Sequence, residues 1–158
     1  MARIIPNENT WVGFATAVAN ISAPTSAEIT GAVDLTPFVI SLNASSRGNT
    51  VPTPSFDSLF ETTASGTSAA TFDADFYRDD EDDTAWETLP RGTRGFFIIS
   101  RFGGTGTDNL PVATDEVEVW PVMVTSRTMA NMSSNTVLTF TISCSVNVEP
   151  DEDAVVAA

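Results

Sequence analysis

The stretch NTVLTFTISCSVNV, residues 135–148, alternates apolar and polar side chains without a break from Leu138 to Val148. A period of two places every second side chain on one face, which is typical of a β-strand with one buried face and one polar face. This is the longest alternation in the chain, and it predicts a fold built mainly from strands. The predicted buried face consists of Leu138, Phe140, Ile142, Cys144, Val146 and Val148.

Shorter segments of the same kind recur outward from this stretch, with Gly, Pro and Asn between them. In the segment 35–43, alternation predicts that Phe38, Ile40 and Leu42 share one face. Pro121 lies inside another segment, where it predicts an edge position or a bulge because proline lacks a backbone N–H. The predicted strands cover residues 11–18, 35–43, 71–77, 96–102, 116–124 and 135–148.

One short helix is expected at residues 84–89. The acidic run 79–83 precedes it and favours a helix N-terminus, because carboxylates cap free N–H groups there. Pro90 would stop the helix. Thr25 and Glu28 also have the spacing of a capping box, which predicts a turn or one helical turn near them.

Together these elements predict a mainly β fold: an antiparallel β-sandwich or half-barrel flanked by one short α-helix, with a long inter-strand loop and extended terminal arms. Residues 1–10 are interpreted as an N-terminal arm, 11–148 as the β-sandwich domain and 149–158 as an acidic C-terminal tail. The polar stretch 44–70 is interpreted as a long loop. Its apolar side chains could pack on the loop's own domain or on a neighbouring subunit: Phe56, Leu59 and Phe60.

Composition excludes several function classes. The chain has 158 residues, 21 acidic and 7 basic side chains, a formal net charge of -14, no His and no Lys. Such a surface repels nucleic acid phosphates. Without His or Lys, histidine-dependent triads and Schiff-base catalysis are impossible. We predict no cofactor and no metal site, and we do not expect an enzyme; residues 79–83 lack the EF-hand pattern and are interpreted as a solvated turn.

The lone Cys144 cannot form an internal disulfide, and it is expected to face the core. Neither a signal peptide nor an apolar run of membrane-spanning length is recognisable, so we expect a protein made in a cytoplasm and without a membrane anchor.

Three stretches together resemble the tail tube proteins of siphophages that infect actinobacteria. They are APTSAEI at 23–29 with DLTPF at 34–38; VPTPSFDSLFE at 51–61; and FYRDD at 76–80 with AWETL at 85–89, RGTRGFF at 91–97 and RFGG at 101–104. Each is weak alone, but their order and spacing across residues 10–148 make the resemblance fairly specific.

The resemblance implies six copies in a ring, with rings stacked into the tail tube of a virion assembled in the host cytoplasm. One sheet of each subunit would line a lumen through which genomic DNA passes, and the long loop and terminal arms would bridge subunits. The implied partners are further copies of the chain, tail terminator and tail-tip proteins, and, in the lumen, the tape-measure protein and DNA without tight binding.

Candidate residues follow from this resemblance and from the alternation. The acidic candidates for the lumen are Asp73, Asp75, Glu116 and Glu118, for which ordinary outer surface is the alternative. The candidates for subunit interfaces are Ile4, Ile5, Trp11, Phe56, Leu59 and Phe60. Other functions left open are a tail-terminator or head-tail joining ring protein, a capsid decoration or adhesion β-sandwich and, least favoured, a carboxylate hydrolase.

Overall fold

The computed structural model describes residue 3, residues 5–6 and residues 8–158. Within this part of the chain eight strands form one sheet in the order β2-β1-β5-β6-β7-β4-β3, with β8 added beside β6, and every pairing is antiparallel. The predicted mainly β fold is confirmed. The elements are β1 (Trp11–Ala15), α1 (Ser26–Thr30), β2 (Val33–Asp34), β3 (Val39–Thr53), β4 (Thr62–Tyr77), α2 (Thr84–Thr88), β5 (Arg94–Ser100), β6 (Glu116–Met129), β7 (Thr139–Val146) and β8 (Asp151–Val155).

The sheet folds over on itself about the long strand β6. The first half of β6 pairs with β5 and β8, and the second half pairs with β7. Although β4 and β5 are far apart in the sheet order, the rings of Phe72 on β4 and Phe97 on β5 stack with centroids 4.5 Å apart. This contact closes a two-layer sandwich around the main core, in which Phe140 of β7 is fully buried as the alternation predicts.

Strand β5 is apolar because both of its faces are buried. Phe97 and Ile99 face the main core, whereas Ile98 faces a second cluster on the other side of the sheet. Ile29 of α1 and Ala154 of β8 cover that second cluster, and both are fully buried. Residues 151–155, predicted to belong to an acidic tail, therefore form a paired strand of the domain.

Both predicted helical segments are present, and their N-termini are capped in different ways. At α1 the Thr25 hydroxyl accepts a hydrogen bond from the Glu28 N–H, and the Glu28 carboxylate accepts one from the Thr25 N–H. At α2 the expected acidic cap is supplied by Asp82, whose carboxylate accepts a hydrogen bond of 3.3 Å from the Thr84 N–H. Asp83 does not cap the helix, because its carboxylate forms an ion pair of 2.5 Å with Arg78.

The prediction of a long loop at 44–70 is wrong. These residues complete β3 and β4, which pair as one long antiparallel hairpin around a tip at residues 54–61. The misreading has a physical cause: side chains on both faces of the outer hairpin are exposed, so no alternation of apolar and polar residues marks the strands. Abundant Thr was the remaining signal, since Thr favours strands.

Two local predictions are also corrected. Val39 and Ser41 pair with consecutive residues of β4, so Ile40 is the extra residue of a β-bulge and is exposed rather than sharing a face with Phe38 and Leu42. Pro121 is buried in a central strand, not at an edge. It lies between the residues of β6 that pair with β8 and those that pair with β7. Its missing N–H therefore breaks no hydrogen bond to either of these two strands.

Candidate assembly surfaces

One polar face extends over β3, β4, β7 and the second half of β6. Residues that pair directly across antiparallel strands lie on the same face, so the register defines its rows. The face is rich in hydroxyl groups and carries two carboxylates. One row consists of Ser41, Asp75, Thr141 and Thr128, and the next row consists of Asn43, Asp73, Ser143 and Ser126.

Asp73 and Asp75 lie together on this face, opposite the buried side chains of Phe72, Ala74 and Phe76. The Asp75 carboxylate accepts hydrogen bonds from the Ser41 hydroxyl at 2.7 Å and from the Thr141 hydroxyl at 2.5 Å. Both carboxylates are half-buried among small polar neighbours. The face therefore presents two carboxylates surrounded by uncharged hydroxyl groups.

The structure does not bring Glu116 and Glu118 to the face that carries Asp73 and Asp75. Glu118 lies on the same side of β6 as the buried Trp120, is only 9% exposed, and forms an ion pair with Arg101. The hydrogen bond that Arg101 donates to the Glu118 carboxylate raises the pKa of the Arg101 guanidinium. Glu118 is thus a nearly buried group paired with Arg101, which corrects its place among the lumen candidates. Glu116 is exposed at the start of β6.

The four-stranded part of the sheet has two edges without a strand partner among the described residues. One is the side of β3 that faces away from β4. The other belongs to residues 125–129 of β6, because contacts on the β5 side of that strand end at Val124, which exchanges hydrogen bonds with Gly92 and Thr93. Open edges of this kind are templates for pairing with another chain.

The hairpin of β3 and β4 projects far beyond the rest of the sheet. Strand β4 pairs with β7 only from Phe72 to Tyr77, so residues 62–71 pair with β3 alone. Ten strand residues span about 33 Å. Phe56, Leu59 and Phe60 at the tip are exposed. A cluster of exposed apolar side chains usually marks a surface that contacts another molecule.

The remaining interface candidates have different surroundings. Ile5 is exposed, and Ile4 lies outside the described residues. Trp11 is only 2% exposed and belongs to the second core cluster, so its placement at an interface is corrected: a Trp that begins a strand buried on both faces serves the domain interior. The open edges and the rows of serine and threonine were not predicted from the sequence, because sheet edges depend on strand order.

Comparison with known proteins decides what these surfaces belong to. The model of a family described as phage tail tube protein matches residues 1–158, the whole chain. The chain belongs to the phage tail tube protein family. As a tail tube protein it is a structural subunit of the virion tail. The resemblance drawn from the sequence is thereby confirmed at the level of the family, and the actinobacterial host stays a prediction.

Solved structures show the same fold at low sequence identity. The SPP1 tail tube is 13% identical with a TM-score of 0.66, covering 97% of this chain and 81% of that one. A chain in the virion of a native gene transfer agent particle is 12% identical with a TM-score of 0.60, covering 96% and 100%. The tail of an empty gene transfer agent particle, of C6 symmetry, gives a TM-score of 0.57 at 12% identity, covering 96% and 100%. A search of curated proteins gives no significant match.

Two further observations concern the described part of this tail tube protein. None of its helices is both long enough and apolar enough to cross a membrane. Within the same residues, no group of three or more His, Cys, Asp or Glu side chains is arranged to hold a metal ion.

Proposed function

We propose that this tail tube protein closes into rings of six copies through its two open sheet edges, with the polar face turned toward the lumen. The observation that carries this proposal is the four-stranded sheet β3-β4-β7-β6, which ends in β3 on one side and in residues 125–129 on the other. The C6 symmetry of the gene transfer agent tail supports six copies.

The direction of the strands suits such a ring. Neighbours in the sheet are antiparallel, so β3 and β6, at its two edges, run in opposite directions. When β3 of one copy lies beside residues 125–129 of the next, the new pair is also antiparallel. The contact joins two different surfaces, and rotation closes it into a ring without exposed edges.

The polar face suits a lumen for genomic DNA. Its small hydroxyl side chains leave no long cationic groups among the two rows that surround Asp73 and Asp75. Carboxylates repel the phosphates of DNA, so a duplex would pass without being held. The other proposed partners are the tape-measure protein, which would lie in the lumen without tight binding, and terminator and tip proteins at the two ends of the tube. The role is structural, without catalysis.

The lateral contact can be tested by removing one backbone donor. The Ala130 N–H donates to the Thr139 carbonyl inside the subunit, so by alternation the Met129 N–H points to the open edge. We expect Met129→Pro to leave the melting temperature nearly unchanged and to abolish rings in negative-stain electron microscopy. The matched control Ala130→Pro should lower the melting temperature, because it removes an internal hydrogen bond.

The outcomes separate the candidate functions. Hollow tubes of the unsubstituted protein, with six-fold symmetry in a cryo-electron microscopy reconstruction, would support the proposal. Rings that never stack would favour a terminator or joining protein. Normal tubes of the Met129→Pro variant would rule out the edge of β6 as the lateral contact.

A further inference from the structure

The two open edges of the four-stranded sheet carry opposite charges on the side of the main core. Arg127, on the open stretch of β6, pairs in register with the buried Ile142, so its side chain lies on the core side of the sheet. At the other edge, the Ser46 hydroxyl on β3 donates a hydrogen bond of 3.0 Å to the Glu152 carboxylate of β8. Ser46 is also on the core side, because it follows Leu42 by four residues in a stretch of strand without a bulge.

Arg127 is held in place without being neutralised. Its guanidinium stacks on the indole of Trp86, with Cζ 3.5 Å from the ring centroid, and donates a hydrogen bond of 2.7 Å to the Trp86 carbonyl. Arg78 stacks on the same ring at 4.1 Å, but it has a carboxylate partner in Asp83. Arg127 forms no ion pair within the described part of the chain. Its remaining N–H groups suit a planar carboxylate from outside the subunit.

The acidic group at the other edge also has no ion-pair partner. Glu152 is exposed, and none of the described cations lies within ion-pair distance of it. Residues 151–153 are all acidic and line one recess beside β3. Arg47 lines the same recess, but alternation places its side chain on the polar face. Arg101 is already paired with Glu118.

We propose that Glu152 of one copy forms an ion pair with Arg127 of the next copy around the ring, and that this pair selects the joint of β3 with β6 over other edge contacts. The inference rests on the proposed function and names the side chains that make its lateral contact specific. The occupant of each edge is therefore a second copy of this chain.

The first argument is the stagger between copies, which decides what lies opposite Arg127. Within one copy the register through Ile142 and Ala74 places Arg127 level with Leu42. Four strands cover about 19 Å at the usual spacing. At the tilt of closed barrels, about 35–45°, the next copy is displaced along the strands by roughly 13–19 Å, or about four to six residues. An even number keeps the core sides together, so Arg127 lies opposite a residue about four or six positions from Leu42.

The direction of the displacement follows from handedness. When a strand of L residues runs upward, a side chain facing the viewer has its own N–H and C=O on the right. The Ala130 N–H points to β7, so the Arg127 N–H points to the open edge, and the next copy lies on the right when β6 runs upward and the core side is viewed. The core side faces outward in the proposed ring. Strands of barrels rise to the right from outside, which moves the next copy upward. Its β3 runs downward, so Arg127 meets a residue later than Leu42: Ser46 or Gly48, both beside the acidic recess.

The second argument is electrostatic. Each copy has a formal net charge of -14, so two copies repel each other unless the joint itself is attractive. Pairing of two identical edges would bring Arg127 against Arg127, or Glu152 against Glu152, and like charges in a contact are unfavourable. Only the joint of β3 with β6 matches opposite signs. The ion pair therefore favours ring closure over two-fold dimers.

Charge reversal tests the pair, because two variants that fail alone should assemble together. Glu152→Arg should keep the melting temperature, since Glu152 is exposed, and should raise the protein concentration needed for rings at least about tenfold. Arg127→Glu should also oppose ring formation. In an equal mixture, every joint between unlike copies again brings opposite charges together, so rings of alternating copies should return. Mass photometry and negative-stain electron microscopy measure the rings, and circular dichroism checks the folding of each variant.

The matched control is Asp57→Arg, which changes the charge by the same amount at the exposed hairpin tip and should form rings at the normal concentration. Normal rings of Glu152→Arg alone, or no recovery in the mixture of folded variants, would overturn the ion pair while leaving the ring intact. Should Arg127→Glu not fold, Glu152→Arg against Asp57→Arg decides, and equal ring formation by these two would refute the pair. Absence of rings in the unsubstituted protein would refute the proposed function as well.

Discussion

The hydroxyl of Ser41 on β3 donates a hydrogen bond of 2.7 Å to the carboxylate of Asp75 on β4, which also accepts a hydrogen bond from Thr141 on β7. One carboxylate thus links three strands on the polar face. Its direction is held by both hydrogen bonds, which would suit the DNA-repelling lumen proposed for this face.

Replacing this carboxylate should weaken the subunit. We expect Asp75→Ala to lower the free energy of unfolding by about 1 kcal/mol, because two hydroxyl groups lose a charged acceptor. Asp73→Ala is the matched control, since among the described residues no side chain donates a hydrogen bond to Asp73, and it should have less effect. Urea denaturation measures both; equal losses would refute the linking role of Asp75.

The ion pair between Arg101 and Glu118 should respond unequally to loss of its two members. The Glu118 side chain is 12% exposed and the Arg101 side chain 50% exposed. Arg101→Ala leaves a buried carboxylate without its partner and should cost about 1–3 kcal/mol. Glu118→Gln leaves a cation that water can reach, so its cost should be lower. Chemical denaturation of both variants decides, and the reverse order would contradict the inward placement of Glu118.

Asp115 should make part of the stability dependent on pH. Its carboxylate accepts hydrogen bonds from the Val112 and Thr105 N–H groups, which lower its pKa below the ordinary value of 3.8. A group whose pKa is lower in the folded state than in the unfolded chain contributes its full stabilisation at pH values above the unfolded-chain pKa. This contribution is lost as the pH falls through the lower pKa of the folded state. Asp115→Asn should therefore flatten the acid limb of a stability-pH curve. An unchanged limb would exclude this role.

Phe140 should be essential to the core. It is fully buried, stacks on Phe76 with ring centroids 5.3 Å apart, and meets the edge of Trp86. Phe140→Ala should cost about 3–5 kcal/mol in the free energy of unfolding. Val137→Ala, three residues earlier and 62% exposed, should stay within about 0.5 kcal/mol. Thermal denaturation compares them, and similar melting temperatures would contradict the burial.

The outer hairpin should be dispensable for folding. Deleting residues 48–66 brings Arg47 and Ala69, which pair in the intact strand, to the two sides of a short turn at residues 67–68. The shortened protein should keep its circular dichroism signature and its melting transition but form no tubes. Tubes of normal appearance would exclude a bridging role for the hairpin.

Sequence patterns predicted those parts of this fold that bury one face. The alternation in residues 135–148 locates β7, and the capping-box spacing of Thr25 and Glu28 locates α1. The outer hairpin was not predicted because neither of its faces is buried within one subunit. Its sequence therefore lacks the alternation of apolar and polar residues that marks a strand. Glu118 was predicted on the wrong face because its partner Arg101 follows a different strand, β5, and alternation shows no contacts between strands. Alternation alone also cannot show which side of a folded sheet becomes the interior.

The polar sheet has an even number of strands, and this parity has a consequence for the diameter of the tube. In the ring proposed above, each copy would add four strands that begin and end with opposite directions, so the joint between copies would be the same whether five, six or seven of them share a circle. Hydrogen bonding therefore leaves the count undetermined. In such a ring the bore would be set by the angle between neighbouring copies, or by the diameter of a ring that is already in place.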